Sequence, residues 1–370
     1  MNRAFLVGVS MAAAFVVGPP TVVGAQPAQA TPAEPLAPEK YKNIQVLTDV
    51  PADRFLSAMD YIAASTGFAC TDCHVQDAAI GWAPEKDDKR TKQRAREMIT
   101  MVKGINAAHF GVVVGCATCH QGRNRPEPLR VAHPTSIDAA VQAPAAVGSA
   151  AAGGGARQAL SVDDVVARYV EALGGRAALE RVKSRIMTGT ATTRTGRSLA
   201  ITIEQKGYAY RETAGDAPAP QVIRGFDGTV AWMNTGGQTT NLLVFEQALR
   251  VSDVVLALGL KDRYRTLQPA PPIRLDDRDV NVLRGDSDGV TETLYFDASS
   301  GLLVRRAITT PTPLGPLPWQ VEYADYRDVA GVKMPFQITR SNWNASDSLK
   351  FAEITANVEI DAARFARPAA

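Results

Sequence analysis

The sequence Cys70-Thr71-Asp72-Cys73-His74 is followed later in the chain by Cys116-Ala117-Thr118-Cys119-His120, which has the same pattern. The two copies contain all four cysteines of the 370-residue chain and two of its four histidines. Cys-x-x-Cys-His is the attachment motif of c-type haem, in which the thiols hold the porphyrin and the histidine binds the iron. The repeated motif predicts two covalently bound haem c groups. Their thioethers would be at Cys70, Cys73, Cys116 and Cys119, and their proximal iron ligands at His74 and His120.

The paired cysteines have three weaker interpretations. A thioredoxin-like redox pair is expected within a βαβ unit and does not require the histidine. A zinc site built from both pairs would need a much shorter spacing between them. Two disulfides, each within one motif, would close loops too short to stabilise the chain appreciably. Haem attachment explains the cysteines and the histidines together.

Composition predicts an exported protein with two folded domains. The chain is longer than one ordinary hydrophobic core allows, and 45% of its residues are hydrophobic. A net charge of +2 and the lack of a nucleic-acid motif argue against a nucleic-acid partner. Residues 1–25 have the pattern of a signal peptide, with an alternative cleavage site at residue 30. The apolar run is shorter than the roughly 20 residues of a spanning helix, so we expect no transmembrane segment in the mature chain.

The predicted order of segments follows from changes in composition. A leader or tether at 26–40 precedes a haem domain at 41–131, and a linker rich in Ala, Gly and Pro occupies 132–159. The second domain covers 160–370. We expect the whole protein in the periplasm or otherwise exported, either soluble or peripheral to a membrane.

A predicted helix precedes each haem motif. The first follows Pro51, carries apolar residues at helical spacing and is ended by Gly67. The second runs from Thr91 to about His109. One face of the second helix carries Ala95, Met98, Val102, Ile105 and His109, with Met101 at its edge.

The helix residues include candidates for the second axial ligand of each iron. Methionine opposite histidine is a known ligand pair in c-type haem proteins and raises the reduction potential. Met59 lies on the apolar face of the first helix and Met98 at the centre of the second, so both are predicted distal ligands. A methionine on a helix face is also a common core residue. Met101 and His109 are the alternatives to Met98.

Basic residues surround both motifs. A run of mixed charge at 85–96 predicts a solvated helix start, with contacts to haem propionates as the alternative. Arg123 and Arg125, directly after the second motif, are the better candidates for propionate contacts.

Residues 40–130 resemble the cytochrome c subunit of photosynthetic reaction centres. The resemblance is carried by Asn43-Ile44-Gln45-Val46-Leu47, Arg96-Glu97-Met98-Ile99-Thr100-Met101 and Cys116-Ala117-Thr118-Cys119-His120-Gln121-Gly122-Arg123. It implies that Met59 pairs with His74, and Met98 with His120. The chain has two haem motifs where the photosynthetic subunit typically has four, and it lacks the lipidated cysteine of some members. A diheme relative that serves another electron-transfer chain fits these differences.

The second domain has the pattern of an α+β fold. Ser161 and Asp164 have the spacing of a capping box, and the following apolar residues predict an amphipathic helix. Alternating strands with turn signals then predict an antiparallel curved sheet packed against helices. The segment resembles LolA/LolB-like periplasmic lipoprotein carriers, which are half-barrels. The resemblance is carried by Phe226-Asp227-Gly228-Thr229-Val230-Ala231-Trp232, Tyr295-Phe296-Asp297, Gly301-Leu302-Leu303-Val304-Arg305, Tyr323-Ala324-Asp325-Tyr326-Arg327 and Gly331-Val332-Lys333-Met334-Pro335-Phe336.

The resemblance to the carriers implies a lipid or lipoprotein ligand on the concave face. No histidine or cysteine follows His133, which argues against thiol, histidine or ordinary zinc chemistry in this domain. We therefore predict a diheme cytochrome that transfers electrons between protein redox partners and is not an enzyme. The alternatives are a lipid- or lipoprotein-binding module with accessory haems, and a haem enzyme if one iron is five-coordinate.

Overall fold

The computed structural model of the chain describes residues 35–77, 79, 81–108, 114–126, 158–193, 196–215, 222–235, 237–241, 253–287, 289–342 and 346–368. The predicted signal peptide, His109 and most of the predicted linker lie outside these residues, so the boundaries proposed for them stay predictions. Within the described ranges, no helix is long and apolar enough to cross a membrane.

The first part of the described chain is mainly helical, as predicted. The helix expected after Pro51 ends where Gly67 takes the left-handed conformation (φ 70°) that glycine adopts without steric cost. A short hairpin follows the first motif. The helices are α1 (Ala37–Lys40), α2 (Phe55–Thr66), α3 (Cys70–Cys73), α4 (Arg90–Ala108) and α5 (Cys116–His120), and the hairpin strands are β1 (Val75–Asp77) and β2 (Gly81–Ala83).

A small apolar cluster holds the helical part together. Leu47 and Val50 come from the segment before α2, Ala58 from α2 and Ile99 from α4, and all four are buried. Partly buried side chains that include Met59 pack against them. The cluster therefore joins the two helices that precede the haem motifs.

The second part is a 13-stranded antiparallel sheet with helices packed against it, which confirms the predicted fold class. In spatial order the strands run β8-β7-β6-β5-β4-β3-β15-β14-β13-β12-β11-β10-β9. The strands are β3 (Ser184–Thr193), β4 (Ser198–Lys206), β5 (Ala209–Ala214), β6 (Val222–Phe226), β7 (Ala231–Thr235), β8 (Gln238–Asn241), β9 (Thr266–Leu275), β10 (Arg278–Ser287), β11 (Val290–Asp297), β12 (Leu303–Thr312), β13 (Gly315–Val329), β14 (Val332–Ser341) and β15 (Ser346–Ala356).

Helices cover the apolar face of the sheet. Ser161 caps the first of them by accepting a hydrogen bond from the backbone N–H of Asp164 (3.1 Å), as the capping-box spacing predicted. Tyr169 of this helix is fully buried against Phe296 of β11, with ring centroids 5.2 Å apart. The helices are α6 (Val162–Ala172), α7 (Arg176–Arg181) and α8 (Asp253–Gly259), and a 3-10 turn spans Ala362–Phe365.

An ion pair demonstrates how strongly the sheet curves. Glu212 lies on β5 and Arg340 on β14, and the strands β4, β3 and β15 separate them. In a flat sheet this separation would be roughly 19 Å, at about 4.8 Å per strand, which is beyond the reach of two side chains. Arg340 Nη1 nevertheless lies 2.7 Å from Glu212 Oε2. The sheet must therefore bend until these strands face each other across its concave side.

A second buried carboxylate sits further along the same face. Glu292 of β11 accepts hydrogen bonds from Arg306 Nη2 (3.0 Å), Arg263 Nη2 (3.0 Å) and the Tyr264 hydroxyl (2.6 Å). Glu292 is 1% exposed and Arg306 0% exposed. Burial opposes ionisation of Glu292, but the charges of Arg306 and Arg263 outweigh it and hold the pKa of this carboxyl below its usual value.

Replacing Glu292 with Gln is expected to destabilise the fold. The substitution leaves Arg306 buried without its counter-ion, so the free energy of unfolding should fall by about 3–5 kcal/mol. Glu180→Gln is the matched control, since Glu180 pairs with Arg176 on the surface at 3.4 Å and both side chains are more than half exposed. The control should change stability by less than about 1 kcal/mol. Urea unfolding followed by circular dichroism measures both values.

The destabilisation should also depend on pH. Because the folded-state pKa of Glu292 is lowered, its contribution is fully present above the unfolded-state value of about 4.3 and is lost as the pH falls through the folded-state pKa. The stability difference between the wild type and Glu292→Gln should therefore shrink below about pH 4. A difference that stayed constant into strong acid would contradict this assignment of the charge.

Candidate functional site

The two Cys-x-x-Cys-His motifs fold alike. In both, the first cysteine opens a helical turn, so that the cysteines lie three residues apart on one side of it. In both, the backbone N–H of the residue before the motif donates to the side chain of the motif's third residue. Ala69 donates to Asp72 Oδ2 at 2.7 Å, and Gly115 donates to Thr118 Oγ1 at 3.1 Å. The repeat visible in the sequence is therefore also a repeat of local hydrogen bonds.

In both motifs the histidine ring contacts a backbone carbonyl through the same nitrogen. His74 Nδ1 lies 3.1 Å from the carbonyl oxygen of Pro84, and His120 Nδ1 lies 2.9 Å from that of Arg123. Because a carbonyl oxygen can only accept, Nδ1 must carry the proton and donate it in each case. The lone pair of a neutral ring is then on Nε2, the nitrogen left to bind a metal. Burial lowers the pKa of His74, which favours its neutral form.

A cavity of about 650 Å³ opens beside the first motif. This volume is within the range of roughly 300–1,000 Å³ typical of ligand and cofactor sites. Cys70, Cys73 and His74 line it, together with residues of the segment at 40–47 and of α2 and α4. The apolar and aromatic lining residues include Tyr41, Ile44, Phe55, Met59, Ile62, Phe68, Trp82 and Ile99.

The structure brings Met59 to the cavity of the first motif. Met59 lines the same cavity as His74 and is half-buried against the cluster of Leu47, Val50, Ala58 and Ile99. The side chains of Met59 and His74 therefore border one space. The role of Met59 as a distal ligand stays a prediction.

The other predicted distal ligands are placed differently. Met98 of α4 is half-buried and is not among the residues that line this cavity, whereas its neighbour Ile99 is. Successive residues point about 100° apart around a helix, so Met98 belongs to another face. Met101 is 48% exposed, and His109 lies outside the described residues. The pairing of Met98 with His120 stays a prediction.

Two residues of the basic run line the cavity, although this run was predicted to be solvated. Lys92 Nζ lies 2.9 Å and Arg96 Nη1 3.0 Å from Asp87 Oδ1, and the two basic side chains are only 11% and 15% exposed. Hydrogen bonds from Arg96 and Lys92 hold the pKa of Asp87 well below its usual range. Lys92 and Arg96 are four residues apart and share a helix face with Ala95 and Ile99. This spacing is the signal in the sequence that could have predicted their inward orientation.

The arginines proposed for propionate contacts lie elsewhere. Arg123 and Arg125 are exposed in the segment after α5, and neither lines the cavity of the first motif. Their backbone has a local role, since the carbonyl of Arg123 accepts the hydrogen bond from His120. Their contact with a haem propionate stays a prediction.

Each motif is anchored to the helix that precedes the other motif. The first is tied to the start of α4, where Lys89 Nζ donates to the carbonyl of Thr71 (2.6 Å) and the Thr91 hydroxyl to that of Asp72. The second is tied to the end of α2, where the N–H of Gly122 donates to the carbonyl of Ser65 (2.8 Å). The two repeated units therefore interlock and form one helical body.

A comparison with known families shows which family the chain belongs to. A family profile described as the photosynthetic reaction centre cytochrome C subunit matches residues 12–212, more than half of the chain. The chain belongs to the photosynthetic reaction centre cytochrome c subunit family. The predicted resemblance is thus confirmed, and the match extends beyond residue 130 into the first strands of the sheet.

Two relatives are named as photosynthetic reaction center cytochrome c subunits. The one from Roseobacter denitrificans is 36% identical over 107 residues, which cover 26% of this chain and 28% of the relative. The one from Thermochromatium tepidum is 35% identical over 121 residues, which cover 30% of this chain and 28% of the relative. The chain therefore spans less than a third of the length of these curated relatives.

Solved structures similar to this chain include LolA-like proteins. A LolA superfamily protein from Nitrosomonas europaea covers 56% of this chain and 99% of its own, with a TM-score of 0.41 and 14% identity. A DUF1329 family protein from Desulfovibrio piger covers 55% and 97%, with a TM-score of 0.40 and 9% identity. Both scores are below 0.5, so the fold of the sheet is defined by its own strand order and no ligand follows from the likeness.

The residues around the cavity fit the haem that membership of a cytochrome c family implies. Covalent haem c requires two thiols, one imidazole nitrogen on the iron and an apolar surround. The cavity supplies Cys70 and Cys73, the Nε2 atom of His74, the thioether of Met59 and apolar walls. Arg96 and Lys92 add positive charge, which suits carboxylate groups.

Proposed function

We propose that this protein is a diheme c-type cytochrome that transfers electrons between protein redox partners. The observation that supports the proposal is the cavity lined by Cys70, Cys73, His74 and Met59, the set of side chains that attaches and ligates one haem c. The second motif repeats the hydrogen bonds of the first, including the one that leaves Nε2 of His120 available to a metal. Haem bound at these sites would supply one-electron redox chemistry.

The proposed ligands favour electron transfer over catalysis. Nε2 of His74 and the thioether of Met59 would together hold the iron of the first haem, which would leave it no free position for a substrate. Lys92 and Arg96 would hold the haem carboxylates at the first site, which was the alternative role of the basic run in the sequence. His120 and Met98 are the proposed ligands at the second site, with Met101 and His109 as alternatives to Met98.

The setting of the electron transfer is also proposed. The chain has two haem motifs where the photosynthetic subunit typically has four, which suggests a diheme relative that serves another electron-transfer chain. The signal-like sequence at residues 1–25 suggests export to the periplasm, where covalent haem attachment takes place. Its redox partners would be proteins of that compartment.

Intact-mass measurement of the full chain, matured with a haem-attachment system, tests the number of haems. The wild type should carry the mass of two haems. Cys70→Ser/Cys73→Ser and Cys116→Ser/Cys119→Ser should each carry one, because a motif without thiols cannot form thioethers. Wild-type protein without covalent haem would overturn the proposed function, and protein with a single haem would overturn the diheme assignment.

Absorption spectra of methionine variants test the distal ligands. The oxidised wild type should show the far-red band of methionine–iron ligation, and Met59→Ala should remove the part that belongs to the first haem. Met98→Ala should remove the remainder, whereas loss of the remainder in Met101→Ala would assign Met101 to the second iron instead. The band surviving in Met59→Ala, measured in the Cys116→Ser/Cys119→Ser background, would contradict the His74–Met59 pair. Carbon monoxide binding by the reduced wild type would favour the haem-enzyme alternative.

A second candidate function is binding of a lipid or lipoprotein by the sheet domain. A cavity of about 240 Å³ lies between α7, α8 and the strands β3 and β4. Val182, Val254 and Leu258 form its apolar walls, and the buried Arg185 also lines it, with its guanidinium donating to Gln205 Oε1 at 3.2 Å. An apolar space with a cation suits the chain and the anionic head of an amphiphile.

Native mass spectrometry of the full chain purified from its host tests this second candidate. A fatty acid or phospholipid that co-purifies and is reduced several-fold by Val254→Arg would support it, since a charged side chain would occupy the apolar space. Lys206→Ala lies outside this lining and is the control. Wild-type protein that carries no lipid and takes none from anionic vesicles would contradict it.

A further inference from the structure

A buried tyrosine links the haem-binding helices to the sheet. Tyr61 of α2 is 4% exposed, and two glycines from distant parts of the chain lie against it. One is Gly115, directly before Cys116 of the second motif, and the other is Gly315, the first residue of β13 after the turn from β12. A methyl group added at Gly115 would overlap the Tyr61 hydroxyl, and one at Gly315 would lie 2.6 Å from its ring. Neither position has room for a side chain.

The turn that carries Gly315 is held by its own hydrogen bonds. The Thr312 hydroxyl donates to the carbonyl of Gly315 (2.7 Å) and accepts from the N–H of Leu314 (3.3 Å). Gly315 has φ 150°, a conformation that residues with a Cβ rarely adopt. The hairpin β12–β13 therefore presents a preformed tip, and that tip points at α2.

Leu314 at this tip belongs to the core of the helical part. It packs against the cluster of Leu47, Val50, Ala58 and Ile99, although it comes from the sheet. Its carbonyl oxygen lies 3.2 Å from the position that a Cβ of Gly115 would occupy. The tip thus contacts the helical part at two adjoining points, its apolar cluster and the residue that precedes the second motif.

We propose that Leu314 and Gly315 form a positioning surface for the second haem-attachment motif, acting through Tyr61 on Gly115. The inference rests on the proposed function, because it assigns this contact to the second haem. Gly115 is the residue before the helical turn Cys116–His120, and its N–H donates a hydrogen bond to the Thr118 hydroxyl. A shift of the Tyr61 ring would therefore move the first residue of the motif. The sheet domain would thus help to position this haem, although Leu314 and Gly315 are far from the motif in the sequence.

The first motif is supported in another way. Its contacts run to Pro84, Lys89 and Thr91, all in the segment between β2 and the start of α4. Tyr61 is still close to Met59 in α2, so the hairpin could act on the first haem if it displaced the whole helix. Selectivity for the second haem is thus the property that distinguishes a positioning surface from a general packing contact.

The test compares Gly315→Ala in two full-length backgrounds, each with a single motif. Cys70→Ser/Cys73→Ser retains only the second haem, and Cys116→Ser/Cys119→Ser retains only the first. In the background that retains the second haem, Gly315→Ala should lower haem occupancy, measured by intact mass, or shift the reduction potential of that haem. In the background that retains the first haem, both quantities should be nearly unchanged. Gly228→Ala is the matched control, because Gly228 also has positive φ (104°) in a hairpin turn but meets nothing within 4 Å.

A second pair of variants covers the case in which Gly315→Ala fails to fold. Leu314→Ala introduces no backbone strain and should affect the second haem in the same direction, more weakly. Tyr61→Ala should be non-additive with Gly315→Ala, because removing the ring removes the overlap. Equal changes in both backgrounds, or no change in either, would overturn the inference. If neither background attaches haem before Gly315 is altered, it is the proposed function that fails.

Discussion

The structure around the first motif depends on the hydrogen bond from Nδ1 of His74 to the carbonyl of Pro84. This bond selects the tautomer, orients the ring and brings the loop after β2 against the motif. The same carbonyl accepts from Lys92 of α4 at 2.8 Å, so the bond also positions the helix that closes the cavity. In the second motif His120 uses the carbonyl of Arg123. One arrangement, an imidazole ring whose direction is fixed through Nδ1, thus occurs in both motifs.

Paired charge organises the rest of the molecule in a related way. Asp87 is surrounded by Lys92 and Arg96, and Glu292 by Arg306 and Arg263, so in each case one carboxylate holds two basic side chains. Glu292 is removed from water, and a carboxylate in such a place keeps its charge only with basic partners. Beside the haem motif this arrangement places positive charge on the cavity wall. In the sheet it joins the neighbouring strands β11 and β12 to the segment that follows α8.

Much of the site could be predicted because its determinants are local. A Cys-x-x-Cys-His pentapeptide makes one turn whatever surrounds it, and the period of Phe55, Met59 and Ile62 predicts which face of α2 is apolar. This period placed Met59 on the apolar face of α2, and in the structure Met59 lines the cavity of the first motif. For the run that contains Lys92 and Arg96 the solvated interpretation was preferred to propionate contacts, because only the packing of α4 decides which of its charges face inward.

The interaction between the helical part and the sheet was not predictable from local patterns. Leu314 follows Pro313 in an ordinary hairpin turn, and no periodicity connects it with Tyr61 or with Gly115. The curvature that brings Arg340 to Glu212 is likewise the sum of small twists over many strands. Both depend on contacts between residues far apart in the chain.

The sequence by itself determined the family, the two Cys-x-x-Cys-His motifs, the helices before them and the antiparallel strands after them. Short-range spacing is enough for these features, because the helical and strand periods act over a few residues. Only the tertiary structure decided that Met59 and His74 border one cavity, that Lys92 and Arg96 line it, and that Leu314 of the sheet packs beside the second motif. These contacts join residues that are far apart in the sequence, so they form only when the chain has folded.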